Sequence, residues 1–414
     1  MNRSLIGLST LLALFLAANA TAEGFRLYGM SADGQMRGEA LVASDEGPDA
    51  NWYNPAALVT IEPKSMVSGG LNLLVVNAEY TNTTGQSVKN NDTIFPLPSI
   101  YYAQKIGDRL AVGLGMNTPF GLSTAYTDPT FSYITTGGKV ELINISPNAA
   151  FKVTDKLSFG AGVNYYRSTT ELRQVVPYSK LVGQPDSPLK VEGEGDGIGL
   201  NTGLLWKMSP TQNFGVTYKS EVTIDYTGGK AHLDSYPFTS QPYETGVQTR
   251  LRFPDMVGMG WSFQPAKRWD VEIGGQWTNW ADMKKLEVRL DEQTALLANS
   301  TTQLDWKNTW TARVGGTYVL DDLWKLSGGY FYTTSPTRES TYTPLVPDGN
   351  HHVFSVGGTY NKGSLTVGIP LVLILQTGTS HIQNNVTDVS GTQNVNGKYE
   401  LMGYQLGLSA SWKF

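Results

Sequence analysis

Residues 401–414 read "LMGYQLGLSASWKF". Met402, Tyr404, Leu406, Leu408, Ala410, Trp412 and Phe414 alternate with Gly403, Gln405, Gly407, Ser409, Ser411 and Lys413. Successive side chains of a strand point to opposite faces, so one face of this segment is apolar throughout and the other is small and polar. A soluble sandwich also alternates, but it has no use for a terminal strand ending on Trp-x-Phe. A strand with lipid on one side and a lumen on the other does. The pattern recurs where Leu110, Val112, Leu114 and Met116 alternate with Ala111, Gly113, Gly115 and Asn117. It recurs again where Phe214, Val216, Tyr218, Val222 and Ile224 alternate with Gly215, Thr217, Lys219, Glu221 and Thr223.

Six short polar turns punctuate these segments: "KIGDRL" (105–110), "KVTDKL" (152–157), "KMSPTQNF" (207–214), "FQPAKRWD" (263–270), "VLDDLWKL" (319–326) and "YNKGSL" (360–365). Each lies between two alternating runs, as hairpin turns do. Between them fall long stretches rich in Gly, Asn, Ser, Thr and Pro, including 81–95, 118–139, 171–195 and 227–248, which read as loops. Six turns join twelve strands; one strand precedes the first turn (67–80) and another follows the last loop (398–414). The expectation is an all-β, 14-stranded antiparallel transmembrane barrel, with short turns at one end and long loops at the other. Closure removes the strand edges that lipid cannot solvate.

Composition agrees. The 414 residues hold 45 glycines, 21 tyrosines and 10 tryptophans with only 16% charged residues, a balance suited to strands with aromatic girdles. Residues 1–22, "MNRSLIGLSTLLALFLAANATA", read as a secretory leader with a small-x-small cleavage site before Glu23. Its apolar run is too short to span a bilayer as a helix, and no later run is longer than "VGIPLVLILQ". There is no cysteine, which excludes disulfides, thiolate metal sites and a Cys nucleophile. The net charge of −5 offers no broad basic surface for nucleic acid. Neither HExxH nor GxSxG occurs, and the four histidines fall in or beside expected outer loops, so no enzyme, metal or cofactor is expected. "GEGDGIG" (193–199) has Rossmann-like glycines but no helix after it, and reads as a turn.

One stretch stands apart. Residues 51–58, "NWYNPAAL", form a turn ahead of the first strand, since Pro55 fixes its own φ and drives Asn54 out of the helical region. With "EGFRLYGMSADGQMRGEALVASDEG", "MNTPFGLSTAY", "RFPDMVGMGWSF", "YVLDDLWKLSGGYFYTTSP" and the closing strand, it resembles the outer-membrane long-chain fatty-acid transporter family, which includes aromatic-hydrocarbon uptake channels. The resemblance spans nearly the whole chain after residue 22. It implies a leader at 1–22, an amino-terminal hatch at 23–62 that plugs the lumen, and a barrel at 63–414 in the bacterial outer membrane. It also implies that Asn54, Pro55 and Ala56 form a hairpin beside a kink in the third strand. That kink is expected near Gly113, Gly115 or the "NTPFG" segment with Pro119 and Gly121, since glycine and proline interrupt pairing.

The implied function is passive uptake of a hydrophobic small molecule, long-chain fatty acids foremost, with sideways release into membrane lipid at the kink. An aromatic-hydrocarbon channel of the same fold is the alternative, and a hydrophilic porin a more distant one; a monomer is expected. By position Phe25 matches a pocket phenylalanine, and Arg167 and Lys307 match strand cations suited to a carboxylate. Parity puts Lys307 inward with Thr309, Thr311 and Arg313. It puts Arg167 outward with Phe159, Val163 and Tyr165, so Arg167 needs a bulge or a rim position to meet a ligand. Val372 and Ile374, in a run apolar on both parities, are expected to line the interior.

Overall fold

Fourteen antiparallel strands form one sheet that closes on itself in the computed structural model, which describes residues 23–414 apart from 45–46, 63, 92 and 378–379. The expected leader at 1–22 lies outside the described residues. In chain order the strands are β1 (Ser65–Asn82), β2 (Thr93–Ile106), β3 (Leu110–Asn117 and Gly121–Ala125), β4 (Gly137–Lys152), β5 (Leu157–Val176), β6 (Ser187–Ser209) and β7 (Gln212–Lys219 and Val222–Tyr236). They continue as β8 (Gln241–Phe253 and Met256–Ala266), β9 (Trp269–Thr278 and Lys285–Leu290), β10 (Ser300–Gln303 and Thr309–Val319), β11 (Trp324–Thr333), β12 (Asn350–Lys362), β13 (Leu365–Thr377) and β14 (Gly397–Lys413). Each pairs with its neighbour in sequence, and β14 closes on β1 from Met66↔Lys413 to Asn82↔Gly397. All six expected short turns join strands at one end.

Alternation decides which residues meet lipid. Ile100, Leu114, Ile145, Leu204, Val356 and Leu406 are exposed on the outer face, while their strand neighbours Tyr101, Asn144, Leu205 and Gln405 are buried inside. Trp206, Trp261, Trp269, Trp324 and Trp412 project outward near the short turns, where an aromatic ring meets both acyl chain and headgroup.

Toward the other end, β5 to β9 run well past the lipid belt. Crossing a bilayer takes roughly 9–11 strand residues, and β6 has 23. Its outward series changes there from Leu200 and Ile198 to Asp196, Glu194, Glu192 and Lys190; Asp196 and Glu194 pair across to Arg167, and Lys190 pairs with Glu171 across the strands and with Glu192 on its own. Arg250–Asp225 and Lys230–Glu244 continue the band. The stretches 171–195 and 227–248, expected as loops, are therefore mostly strand, and "GEGDGIG" lies inside β6 rather than in a turn. Its glycines alternate inward, where a Cβ on Gly195 would fall 2.5 Å from the Asp225 carbonyl oxygen.

Five strands, β3 and β7 to β10, are interrupted along their length, and each interruption delivers large apolar groups to the lumen. Phe120, Val222, Phe253, Trp280, Leu304 and Trp306 lie at or beside these breaks and belong to one buried cluster. The break at 220–221 reverses facing, so Val222 and Ile224, which simple alternation puts on the lipid face with Tyr218, are buried inside.

Candidate functional site

Inside the barrel lies the amino-terminal segment, with α1 (Ala32–Met36), α2 (Ala50–Tyr53) and a 3-10 turn (Pro55–Thr60). Polar side chains of the wall hold it. Glu272 on β9 accepts from Val42 N (2.7 Å), Ala43 N (2.9 Å) and Ser44 Oγ (2.7 Å), and Arg37 pairs with Asp270. Asn54 caps the 3-10 turn by accepting from Ala56 N (3.1 Å), and its Nδ2 donates to Val42 O (2.7 Å) and to Leu204 O of β6 (3.1 Å). Glycines let the turn press on the wall. A Cβ on Gly160 would stand 2.4 Å from Ala56 N, and one on Gly203 2.0 Å from Asn54 Oδ1.

This corrects two expectations. Asn54, Pro55 and Ala56 form a capped 3-10 turn rather than a hairpin, because Asn54 is extended (φ −155°) and Pro55 begins the turn; the three press on β5 and β6, and the turn's Leu58 reaches the third strand at Gly113. Gly113 and Gly115 do not kink β3. Both lie in its regular part, paired to β2 and β4, and leave room for the Asn51 side chain. The break lies in the "NTPFG" segment, at 118–120, and β3 resumes at Gly121.

The amino-terminal backbone takes up the strand's lost partners there. Leu27 N donates to Pro119 O (2.9 Å), Gly121 N donates to Phe25 O (2.8 Å), and Arg26 bridges Phe120. As β3 turns inward, β2 loses its neighbour: pairing ends at Ile100↔Met116, and Thr93–Val76 through Ser99–Gly70 have β1 alone. A gap opens in the wall. The β1–β2 ladder runs unbroken through Pro96 and Pro98, so their ring nitrogens, which cannot donate, face away from β1 and toward this gap. Two other strand prolines show the converse: pairing is missing between β4 and β5 at Pro147 and between β13 and β14 at Pro370. An edge that lacks two of its N–H groups leaves fewer unsatisfied donors facing lipid and resists zipping to a straightened β3.

Beside the gap lies a cavity of about 450 Å³. Leu74, Leu97 and Phe120 line it from the lumen, Pro98 and Leu122 from the two lips, and Ile143 from the outer face. Residues from both sides of the wall share one apolar space. Deeper in, an aromatic column leads to it: Trp306 and Phe25 are 5.1 Å apart, Trp306 and Trp280 5.1 Å, Phe25 and Trp280 5.9 Å, and Trp280 and Phe120 6.2 Å. Tilted and edge contacts of this kind are the arrangements that aromatic rings prefer when packed together.

Phe25 is thus buried in that column, and Val372 and Ile374 face inward against Tyr28, Leu74 and Leu97. Arg167 stands on the outer face at the cavity's lip, paired to Glu194 (2.6 Å) and Asp196 (3.8 Å). Lys307 is a correction. Asp305 adopts a left-handed conformation (φ 46°), which breaks the parity and sends Leu304 and Trp306 inside, leaving Lys307 exposed in a shallow outer cleft with Arg338 and Glu339. The inward cation that sequence reasoning passed over is Lys219, on the polar series of β7 with Thr217. Its Nζ lies 4.4 Å from the centroid of Trp52. Arg26 pairs with Glu23 (2.9 Å), and Arg313 donates to the Glu39 carbonyl oxygen (2.8 Å) and to Gln276 (3.0 Å). No carboxylate of the described residues pairs with Lys219.

The amino-terminal end is anchored by Asp348, which accepts from Gly24 N (3.1 Å) and Ser335 Oγ (2.9 Å) in the outer connection between β11 and β12. Burial pushes the Asp348 carboxyl up to about 8, against the hydrogen bonds that favour its ionised form. The folded protein therefore holds this proton more tightly than the unfolded chain, and stability should fall as pH rises from about 4 to about 8. Protease resistance of residues 23–30 in detergent should decline over that range in the wild type. In Asp348→Asn the decline should be absent, and its persistence there would assign it to another group.

Three comparisons bear on this geometry. The family described as "outer membrane protein transport protein (OMPP1/FadL/TodX)" matches residues 13–414. The long-chain fatty acid transport protein of Escherichia coli is 26% identical over 403 residues, covering 86% of this chain and 88% of that one. Outer membrane protein P1 of Haemophilus influenzae is 25% identical over 408 residues, covering 87% and 86%. Among solved structures, a Pseudomonas aeruginosa FadL homologue superposes with a TM-score of 0.82 at 21% identity, covering 94% of this chain and all (100%) of that one. The toluene transporter TodX of Pseudomonas putida superposes with a TM-score of 0.74 at 17% identity, covering 95% and 99%. These two structures share the fold.

Proposed function

The chain belongs to the outer membrane protein transport family, and on that premise we propose that it is a passive channel for long-chain fatty acids, released sideways into the membrane between β2 and β3. The family consists of outer-membrane transporters of hydrophobic compounds, so the membrane and the broad class of cargo are given. The observation that carries the finer reading is the wall gap beside Pro96 and Pro98, which shares one apolar cavity with the lumen. An apolar chain gains free energy with each CH₂ it buries, about 0.8 kcal/mol, and reaches lipid by this route without crossing water. Phe25 and the Asn54-Pro55-Ala56 turn act as parts of the hatch: a shift of residues 25–27 frees the backbone of 119–121 and widens the gap. Lys307 and Arg338 form an entry rim, and Arg167 marks the exit. A lumen filled by residues 23–44 and 47–61 weighs against a hydrophilic porin.

The fatty acid is favoured over an aromatic hydrocarbon by Lys219, an interior cation with room in its charge balance for a carboxylate. The aromatic column supports the hydrocarbon reading, and several solved relatives are monoaromatic hydrocarbon channels. Uptake of labelled oleate and of toluene at limiting concentration, in cells lacking their own channel of this type, decides between them. Oleate entering well above background is the expected result. Toluene alone entering would transfer the assignment to hydrocarbons, and entry of small sugars with neither would restore the porin.

A further inference from the structure

Around the closing seam the hatch is tied to the wall by direct hydrogen bonds. Asn72 donates to Gly29 O (2.8 Å), Tyr101 OH to Met30 O (2.7 Å), and Gln405 to Tyr28 O (3.3 Å). Closer to the short turns a cavity of about 30 Å³ separates hatch from wall. On its wall side Ser68 stands across from Ser411 and Tyr101, Gly70 across from Ser409 and Ser99, and Thr366 across from Ser411. On its hatch side are Ser31, Asp33, Pro48 and Asp49. The space is about that of one water or one small ion with part of its shell.

Two carboxylates thus face a hydroxyl-rich wall across a single-ion space. Asp49 is 3% exposed, and its Oδ2 has no hydrogen-bond partner although hydroxyls ring the cavity. Lys325 and Arg37 act on Asp33, which is exposed. Arg37 is itself engaged by Asp270, and no cation among the described residues forms an ion pair with Asp49. A buried carboxylate oxygen without a partner is costly, and a water, a proton or a small cation bound through oxygen would relieve it; the second carboxylate beside it favours the cation. Calcium-class ions take six to eight oxygen ligands in flexible geometry and accept carboxylates, neutral oxygens and water together. Glycines at 70 and 368 keep the wall open beside the serines.

We propose that this cavity binds a divalent calcium-class cation between Asp33 and Asp49 of the hatch and the serine hydroxyls of β1, β2 and β14, clamping the hatch to the barrel's closing seam. It would be reached from the short-turn side through exposed Asp33. The site has only two carboxylates, and the rest of its oxygen donors are hydroxyls and water, so it should be of modest affinity and should fill or empty with the divalent-ion level around it. The clamp rests on the cavity and Asp49, and stands whichever hydrophobic compound the channel carries.

The test uses the full chain folded in detergent free of lipopolysaccharide and stripped with EDTA. Tb³⁺ is the probe, because Tyr101 lines the cavity and can sensitise its emission. Saturable emission at one ion per chain, displaced by Ca²⁺ and weakened at least about tenfold by Asp49→Asn, is expected. Asp33→Asn gives a second reading should Asp49→Asn fail to show the heat-dependent gel shift of a folded barrel. Absence of saturable emission, or emission unchanged in the variants, overturns the proposal. So does a thermal stability that responds to pH but not to Ca²⁺, which would mean that a proton alone occupies Asp49.

Discussion

Filling the cavity between β2 and β3 with Leu97→Trp and Leu122→Trp is expected to reduce oleate uptake at least about tenfold while leaving oleate binding in detergent nearly unchanged. Both residues line the 450 Å³ space, one from the lumen and one from the lip of β3. Neither belongs to the aromatic column or contacts Lys219. Two indoles would occupy the passage, and β3 cannot retreat toward β2 to make space, because the prolines of β2 offer it no donors. The separation of the two readouts carries the argument. If transport and binding both persist, the cargo leaves past the hatch into the periplasm and the wall gap is not its exit. A tryptophan at Leu326, exposed on the lipid face, is the control for general damage.

The second large effect is expected from Lys219→Met. Methionine retains the bulk over Trp52 and removes the charge. Hydrogen bonds to charged groups contribute about 1.5–3 kcal/mol, which corresponds to roughly a 10- to 150-fold loss of oleate affinity. Toluene, with no charge to read, should bind as before. The contrast is the measurement: two equilibrium titrations on one variant. Equal weakening of both compounds would mean that Lys219 supports the fold of the lumen, and the carboxylate would have to be read at the outer cleft of Lys307 and Arg338.

Much of the architecture was legible because alternation is local. The facing of Tyr404 and Gln405, the closing of β14 on β1 and all six short turns follow from which residues are apolar and where tight polar turns fall. Alternation failed where the contrast it depends on disappears. In β6 the inward positions from Gly199 to Gly193 are glycines and the outward ones from Asp196 to Glu192 are acids, so both faces look like loop, although the strand continues to Ser187. It failed again at Ser220 and at Asp305, where one irregular residue reverses facing and carries Val222 and Trp306 indoors. Lys307 was lost, and Lys219 left unchosen, for related reasons. Parity at Lys307 does not carry across the break at Asp305, whereas for Lys219 parity gives the right face but the sequence holds no signal, short of its neighbours, that it lacks a counter-ion. The gap itself was half visible. "NTPFG" announces a break in β3, but the matching prolines of β2 gain their meaning only when the ladder shows which way each nitrogen points.

Those two prolines also bear on the company the protein keeps. A strand edge exposed in a crowded membrane is an invitation to sheet extension: a neighbouring copy, or a half-folded barrel during insertion, can add its own edge and fuse the two sheets. Between Thr93 and Ser99 that exchange is refused at two of its rungs. A barrel with an opening in its side is in this way less open to fusing its sheet with that of another polypeptide.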